Sequence, residues 1–313
     1  MRAVTSRDRR VDVVQIDEPV IRTDEHVVIE VTSAGICASD LHLVELGATG
    51  VVLGHEFGGF TPDGTLVAVR PTGACGHCHS CTTSRPQLCR DATGRMYGTA
   101  LDGGLAERVL VERERLVPLA EGVDPRAAAL VEPIAVAVHG VDRANVTVGD
   151  RVLVIGGGSI GLFTTAVLRD RGADVDLIAR HPHQGDVARS LGASLDIAHD
   201  YDVVIDAVST QSSTDEAVKR CRAGATLVEL GMFWQPVSFG IPMLLKEITV
   251  VPSIFYAHDH DHDDMAAAAD LLARQHELGE ILVTHRYRLD EAVAAFATAA
   301  DRASGAIKVH LHP

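Results

Sequence analysis

The run DRVLVIGGGSIGLFTTAVL, from Asp150 to Leu168, admits few folds. Its β-branched stretch at 152–155 reads as a buried strand, Gly156, Gly158 and Gly161 stand as G-x-G-x-x-G, and 162–168 reads as an apolar helix. In that order Gly156 permits a tight turn, Gly158 lets a pyrophosphate approach the backbone, and Gly161 lets helix pack on strand. Ser159 and Ile160 open the helix, where free N–H groups hold phosphate charge. The strand at 174–179 should then end on an acid if the adenosine ribose carries a bare 2′-hydroxyl. Asp174 and Asp176 lie too early, and the position holds Arg180, nineteen residues past Gly161, followed by His181. A guanidinium can grip a 2′-phosphate, so NADP is expected in preference to NAD. The alternative is that Arg180 is a solvated loop residue and both cofactors are taken. The further strands YDVVIDAVS, ATLVELG and ITVVPSIF, with a helix expected at 214–222, complete a βαβ alternation and a parallel doubly wound sheet. Cys221 would lie in that helix as an ordinary buried thiol.

At 313 residues, a second domain is expected beside this one. The net charge of −15 argues against nucleic acid or an anionic membrane as partner. The seventeen uncharged residues at 152–168 fall short of the roughly 20 that span a bilayer, and they include four glycines. MRAVTSRDRR lacks the apolar stretch of a leader, which gives a cytoplasmic expectation, and in a reducing compartment clustered cysteines favour metal over disulfides.

Such a cluster exists. Cys75, Cys78, Cys81 and Cys89 stand as C-x2-C-x2-C-x7-C among loop-forming residues. Two-residue gaps let successive thiolates converge on one ion, and four of them close a tetrahedral zinc shell with no vacancy for substrate. A thioredoxin-type pair would need a strand-to-helix setting, and an iron–sulfur cluster has no companion motif here. His77 and His79 are bystanders, because the four softer thiolates suffice. Upstream, GICASDLH and LGHEFGG supply Cys37, His55 and Glu56. One thiolate, one imidazole and one carboxylate form the mixed set of a catalytic zinc that keeps a position open.

The series GICASDLH, LGHE, the four cysteines, LVEP, GGGSIG, VTHRYRLDEAVAAF and GAIKVHL resembles the zinc-dependent medium-chain alcohol dehydrogenases over essentially the whole chain. The resemblance implies a GroES-like, partly open β-barrel catalytic domain at 1–134, a Rossmann domain at 135–255, and a return to the catalytic domain at 256–313. It places Cys37 and His55 as catalytic-zinc ligands and Glu56 as their acidic neighbour. Glu132 stands where some members carry a cysteine, as in the polyol, sugar and threonine dehydrogenase branch. Ser39 and His42 fall at the family's proton relay, and Asp40 is placed to orient His55. The implied activity is interconversion of an alcohol, secondary, polyol, sugar or cyclitol, with its ketone or aldehyde, using two zinc ions per chain in a homodimer or homotetramer. A double-bond reductase of the same superfamily and a zinc-stabilised redox sensor without turnover are the alternatives. Two segments depart from the family by being short: the one after GHE, and the one between Ala188 and Val203. Trp234 is expected to flank the ligand or simply to pack. The tract AHDHDHDDM at 257–265 reads as a solvated loop ending in an aspartate N-cap.

Overall fold

The computed structural model describes residues 1–47, 50–259 and 262–313. The chain forms two compact units, Met1–Glu132 with Ala257–Pro313, and Pro133–Tyr256.

Among the described residues, the first unit is built on a seven-stranded sheet around the long strand His26–Ile36. Its alternation buries Val27, Ile29 and Val31 in one core. Glu56–Phe60, Arg108–Glu112 and Lys308–His312 all pair with it antiparallel, so residues near 35, 56 and 310 meet on one sheet. The cysteine-bearing excursion leaves this sheet through a neck closed by Arg115. Its Nη1 donates to the carbonyls of Pro71 at 3.2 Å and Arg95 at 2.7 Å, and its guanidinium lies 4.8 Å from the Tyr97 ring centre. Asp263 caps the helix Asp264–Arg274 by accepting from the N–H groups of Met265 and Ala266, as expected for the end of the His/Asp tract. His260 and Asp261 of that tract lie outside the described residues.

The second unit carries a five-stranded parallel sheet in the order Thr249–Pro252, Cys221–Glu229, Tyr201–Asp206, Arg151–Ile155, Asp174–Ile178. The short segment after the helix Pro182–Ser190 explains why Asp174–Ile178 is an edge strand. Beyond it the chain makes one bridge, Asp176 to Ser194, where a further strand would pair. The expected helix at 214–222 spans Gln211–Arg220, and Cys221 is the first residue of a strand rather than part of the helix. The Lys246 ammonium stops the helix by taking the carbonyls of Val218, Lys219 and Cys221 at 3.0, 2.9 and 2.6 Å. Cys221 is fully buried, and that burial pushes its thiol up to about 12, an inert state. No described helix is long and apolar enough to cross a membrane.

Candidate active site

The four clustered thiols converge. Sγ of Cys78 lies 3.5 Å from that of Cys81 and 3.8 Å from that of Cys89, while Cys75 and Cys81 are 4.0 Å apart. A tetrahedron of ~2.3 Å Zn–S bonds has edges of about 3.8 Å, so the donor set fits zinc without rearrangement. The chain also supplies N–H groups to these sulfurs: Cys75 N donates to Cys89 Sγ at 3.3 Å and Cys78 N to Cys75 Sγ at 3.4 Å. The backbone N–H of Cys81 leads the effects that draw the Cys78 thiol down to about 6. Neither His77 nor His79 belongs to the cluster; His77 Nδ1 turns instead to the Cys75 carbonyl at 2.8 Å.

The second donor set is assembled by two turns. Cys37 follows the long strand and is the N-cap of the helix Ala38–Leu46, whose third residue, Asp40, reaches back. Asp40 Oδ2 accepts the Cys37 N–H at 2.9 Å, and Oδ1 stands 3.3 Å from His55 Nδ1. One carboxylate, itself fully buried, thus fixes both the thiol-bearing turn and the imidazole. His55 follows Gly54, whose φ of +91° only glycine adopts readily, and which brings the backbone sharply round to the next strand. Glu56 opens that strand opposite Gly35, and a Cβ on Gly35 would stand 2.1 Å from Glu56 Oε2. The bare glycine in GICASD therefore makes room for the carboxylate two residues from Cys37.

The result is that ligand atoms of Cys37, His55 and Glu56 lie within 4.8 Å of one another, a soft, a borderline and a hard donor suited to zinc. Burial works against charge on His55, but Asp40 and Cys37 outweigh it and hold the imidazole well above its ordinary pKa. Binding a cation at its other nitrogen would therefore displace a proton. Glu132, 5% exposed at the start of the helix Val131–Ala144, is not a member of that trio. Burial lifts its carboxyl to about 7, against the pull of His55. Ser39 Oγ is 3.5 Å from His55 Nε2, and His42 Nδ1, on the outward side of the same helix, is 3.3 Å from Glu45.

In the second unit the glycine turn has the expected shape. Gly156 takes φ +109°, and a Cβ on Gly161 would fall 1.8 Å from the Gly156 carbonyl oxygen. Nothing lies within 4 Å of a Cβ on Gly158, so the backbone there is open to a ligand. The helix Ser159–Asp170 begins at Gly158 with no side-chain cap, leaving its first N–H groups for an anion. The turn thus fits a dinucleotide pyrophosphate. Arg180 is exposed, and its N–H, like that of His181, is 3.3 Å from Gln184 Oε1. The His181 ring stacks on His183 at 5.6 Å. Trp234 is 48% exposed.

Two family models match the chain, the alcohol dehydrogenase GroES-like domain at residues 23–121 and the zinc-binding dehydrogenase at 159–274. L-galactonate-5-dehydrogenase of Escherichia coli (strain K12) is 31% identical over 294 residues, covering 84% of this chain and 85% of its own. The chain belongs to the zinc-dependent medium-chain alcohol dehydrogenase family. Solved members share its fold. Galactitol-1-phosphate dehydrogenase of Escherichia coli is 26% identical with a TM-score of 0.89 over 100% of this chain and 100% of that one. A candidate zinc-binding dehydrogenase of Sinorhizobium meliloti 1021, bound to NADP, is 29% identical with a TM-score of 0.88, covering 100% and 99%. The chain is accordingly a zinc- and nicotinamide-dependent oxidoreductase acting on CH–OH groups of a small molecule, from the polyol-dehydrogenase branch, with a GroES-like and a Rossmann domain.

Against this family background one residue of the site went unforeseen. Lys308 is 3% exposed, and its Nζ grips the Glu56 carboxylate at 2.5 Å across 252 residues of chain. Burial opposes its charge, yet Glu56, followed by Cys37, holds its pKa above the ordinary lysine value. The one signal in the sequence was a charge inside the apolar run AIKVHL, which alone cannot name its partner.

Proposed function

We propose that this dehydrogenase interconverts a polyol or sugar-derived secondary alcohol and its ketone, preferring NADP. The observation that carries the reading is the convergence of Cys37, His55 and Glu56 within 4.8 Å in the first unit. Zinc held by Cys37, His55 and Glu56, with Glu132 as the neighbouring acid, would act as a Lewis acid on the substrate hydroxyl and lower its pKa. A bound nicotinamide would take the hydride from the carbinol carbon, so that loss of hydride and proton together leaves a carbonyl.

The protein's own groups do the rest. Ser39 Oγ takes the hydroxyl proton as its own proton leaves, and His42, with an imidazole reaching solvent, passes a proton on to water. Asp40 holds His55 by Nδ1 and presents Nε2 inward. Lys308 fixes the Glu56 carboxylate in place through its buried ammonium. In the second unit, Gly156, Gly158 and Gly161 with the N–H groups of Ser159 and Ile160 hold the pyrophosphate, and Arg180 and His181 meet the 2′-phosphate. Cys75, Cys78, Cys81 and Cys89 hold a second zinc that orders their lobe. The NADP bound to the Sinorhizobium meliloti relative supports the cofactor assignment, and the L-galactonate relative supports a hydroxylated substrate. A homo-oligomer is also part of this reading. Strand Thr249–Pro252 is a sheet edge, and Ile241, Leu244 and Leu245 are 71%, 76% and 76% exposed, surface that a second copy would cover.

A panel of polyols, sugar acids and simple alcohols assayed with both cofactors tests the reading, with NADP-linked oxidation of a polyhydroxylated substrate as the expected outcome. In Arg180→Asp, the preference for NADP over NAD should drop by about 10- to 100-fold, the worth of a charge-assisted contact to phosphate. An unchanged cofactor ratio in that variant would remove Arg180 from the assignment, and oxidation of none of the panel would remove the substrate class.

A further inference from the structure

The carboxyl edge of the nucleotide unit's sheet holds two acids for which the hydride chemistry has no use. Asp206 ends strand Tyr201–Asp206, Glu229 ends its parallel neighbour Cys221–Glu229, and the two are register partners. They are 0% and 2% exposed. Ile155 flanks Asp206 on one side, Pro252 flanks Glu229 on the other, and Ser209 contributes a hydroxyl to Glu229. Among the described residues, Asp206 is the charge that acts on Glu229, and it opposes a second negative charge there. Each acid leaves one buried oxygen, Asp206 Oδ2 and Glu229 Oε1, without a hydrogen-bond partner. Two carboxylates set side by side by parallel register do not both ionise readily, and a proton held by one would let it donate to the other.

The remaining oxygens hold a turn. Asp206 Oδ1 accepts the N–H groups of Val208 at 2.8 Å and Ser209 at 3.0 Å, and Ser209 Oγ donates to Glu229 Oε2 at 2.9 Å. Ser209 sits at φ +53°, a region non-glycine residues enter at a cost, so the two acids impose a conformation the turn would not keep alone. Val208, carried on that turn, lies against the cofactor loop: a Cβ on Gly156 would stand 2.6 Å from Val208 Cγ2.

We propose that Asp206 and Glu229 share one proton and act together as positioning residues, holding the turn at 207–209 against the glycine loop so that dinucleotide affinity falls when the shared proton leaves. This rests on the reading of the second unit as the NADP(H) site. Burial, reinforced by Asp206, lifts Glu229 to about 7, and burial raises Asp206 as well. A carboxyl whose pKa is raised by folding contributes most stability below its ordinary value, and that contribution is lost as pH rises through the folded value. The turn should therefore loosen as pH rises from about 4.5, the ordinary carboxyl value, through about 7.

Glu229→Gln is the decisive variant, because its amide oxygen accepts from Ser209 while its NH2 stands where the shared proton was. NADPH binding is followed by fluorescence on the whole protein at both ends of that range, and thermal unfolding is followed without nucleotide over the same range. The wild-type affinity should fall at least about fivefold more than that of Glu229→Gln, and its unfolding temperature should fall relative to the variant as pH rises. Titration of the 2′-phosphate and of its ligands is common to both proteins and cancels. Asp206→Asn should flatten both profiles in the same way, which guards against a fault peculiar to one substitution. Parallel profiles for wild type and both variants would overturn the proposal. NADPH binding to none of them at any pH would overturn the nucleotide reading and the affinity half of the proposal, while the unfolding comparison would still decide whether a proton is shared.

Discussion

Replacing Cys37 with serine should lower the rate of alcohol oxidation by at least about a thousandfold, because the Lewis-acid contribution is several kcal/mol and each 1.36 kcal/mol is tenfold in rate. The thiolate is the softest donor of the trio, and serine offers a hydroxyl that stays protonated at neutral pH. The substitution is small, and Asp40 would keep its bond to the residue-37 N–H, since that bond is to backbone. NADPH binding, a property of the other unit, should stay within about twofold of wild type. Steady-state kinetics with a fluorescence titration check both halves. A rate within about tenfold of wild type would mean that the trio is not where the hydroxyl is activated.

The second large effect is on stability. In Lys308→Met the Glu56 carboxylate loses the ammonium that bonds it directly, in a setting where both side chains are at most 2% exposed. Breaking a buried pair on one side typically costs about 3–5 kcal/mol, more than the pair itself contributes, since an uncompensated charge is left in the interior. Adding Glu56→Gln removes that charge, so the double variant should recover more than half of the loss. Urea unfolding of the wild type, the two single variants and the double variant reads this directly. A Lys308→Met protein as stable as wild type would show that water already reaches the pair.

What the sequence disclosed and what it withheld follow from distance along the chain. The glycine loop and the four-cysteine lobe are local: six residues suffice for one and fifteen for the other, and spacing alone carries the geometry. Asp40 was expected only as the group that orients His55, and its bond to the Cys37 N–H three residues away is the local part of its role. Lys308 was not, because its bond to Glu56 exists only once strand Lys308–His312 pairs with His26–Ile36, and that strand in turn with Glu56–Phe60. The acids Asp206 and Glu229 looked like the ordinary ends of two strands until parallel register set them side by side. Cys221 was misassigned to a helix because the group that ends that helix, the Lys246 ammonium, comes from 25 residues downstream of it. Local chemistry is written in spacing, whereas the charges that tune it come from strand pairing.

The central claim is that Cys37, His55 and Glu56 hold the zinc on which turnover depends, while the four-cysteine lobe holds another that serves the fold. Stepwise removal of metal by a chelator, with zinc per chain and alcohol-oxidation rate recorded on the same samples, tests it most directly. Two zinc ions per chain are expected at the start, with a rate that falls in proportion to one of them and recovers when zinc is returned. A chain that carries one zinc and turns over at full rate, or a rate that survives loss of both ions, would contradict it.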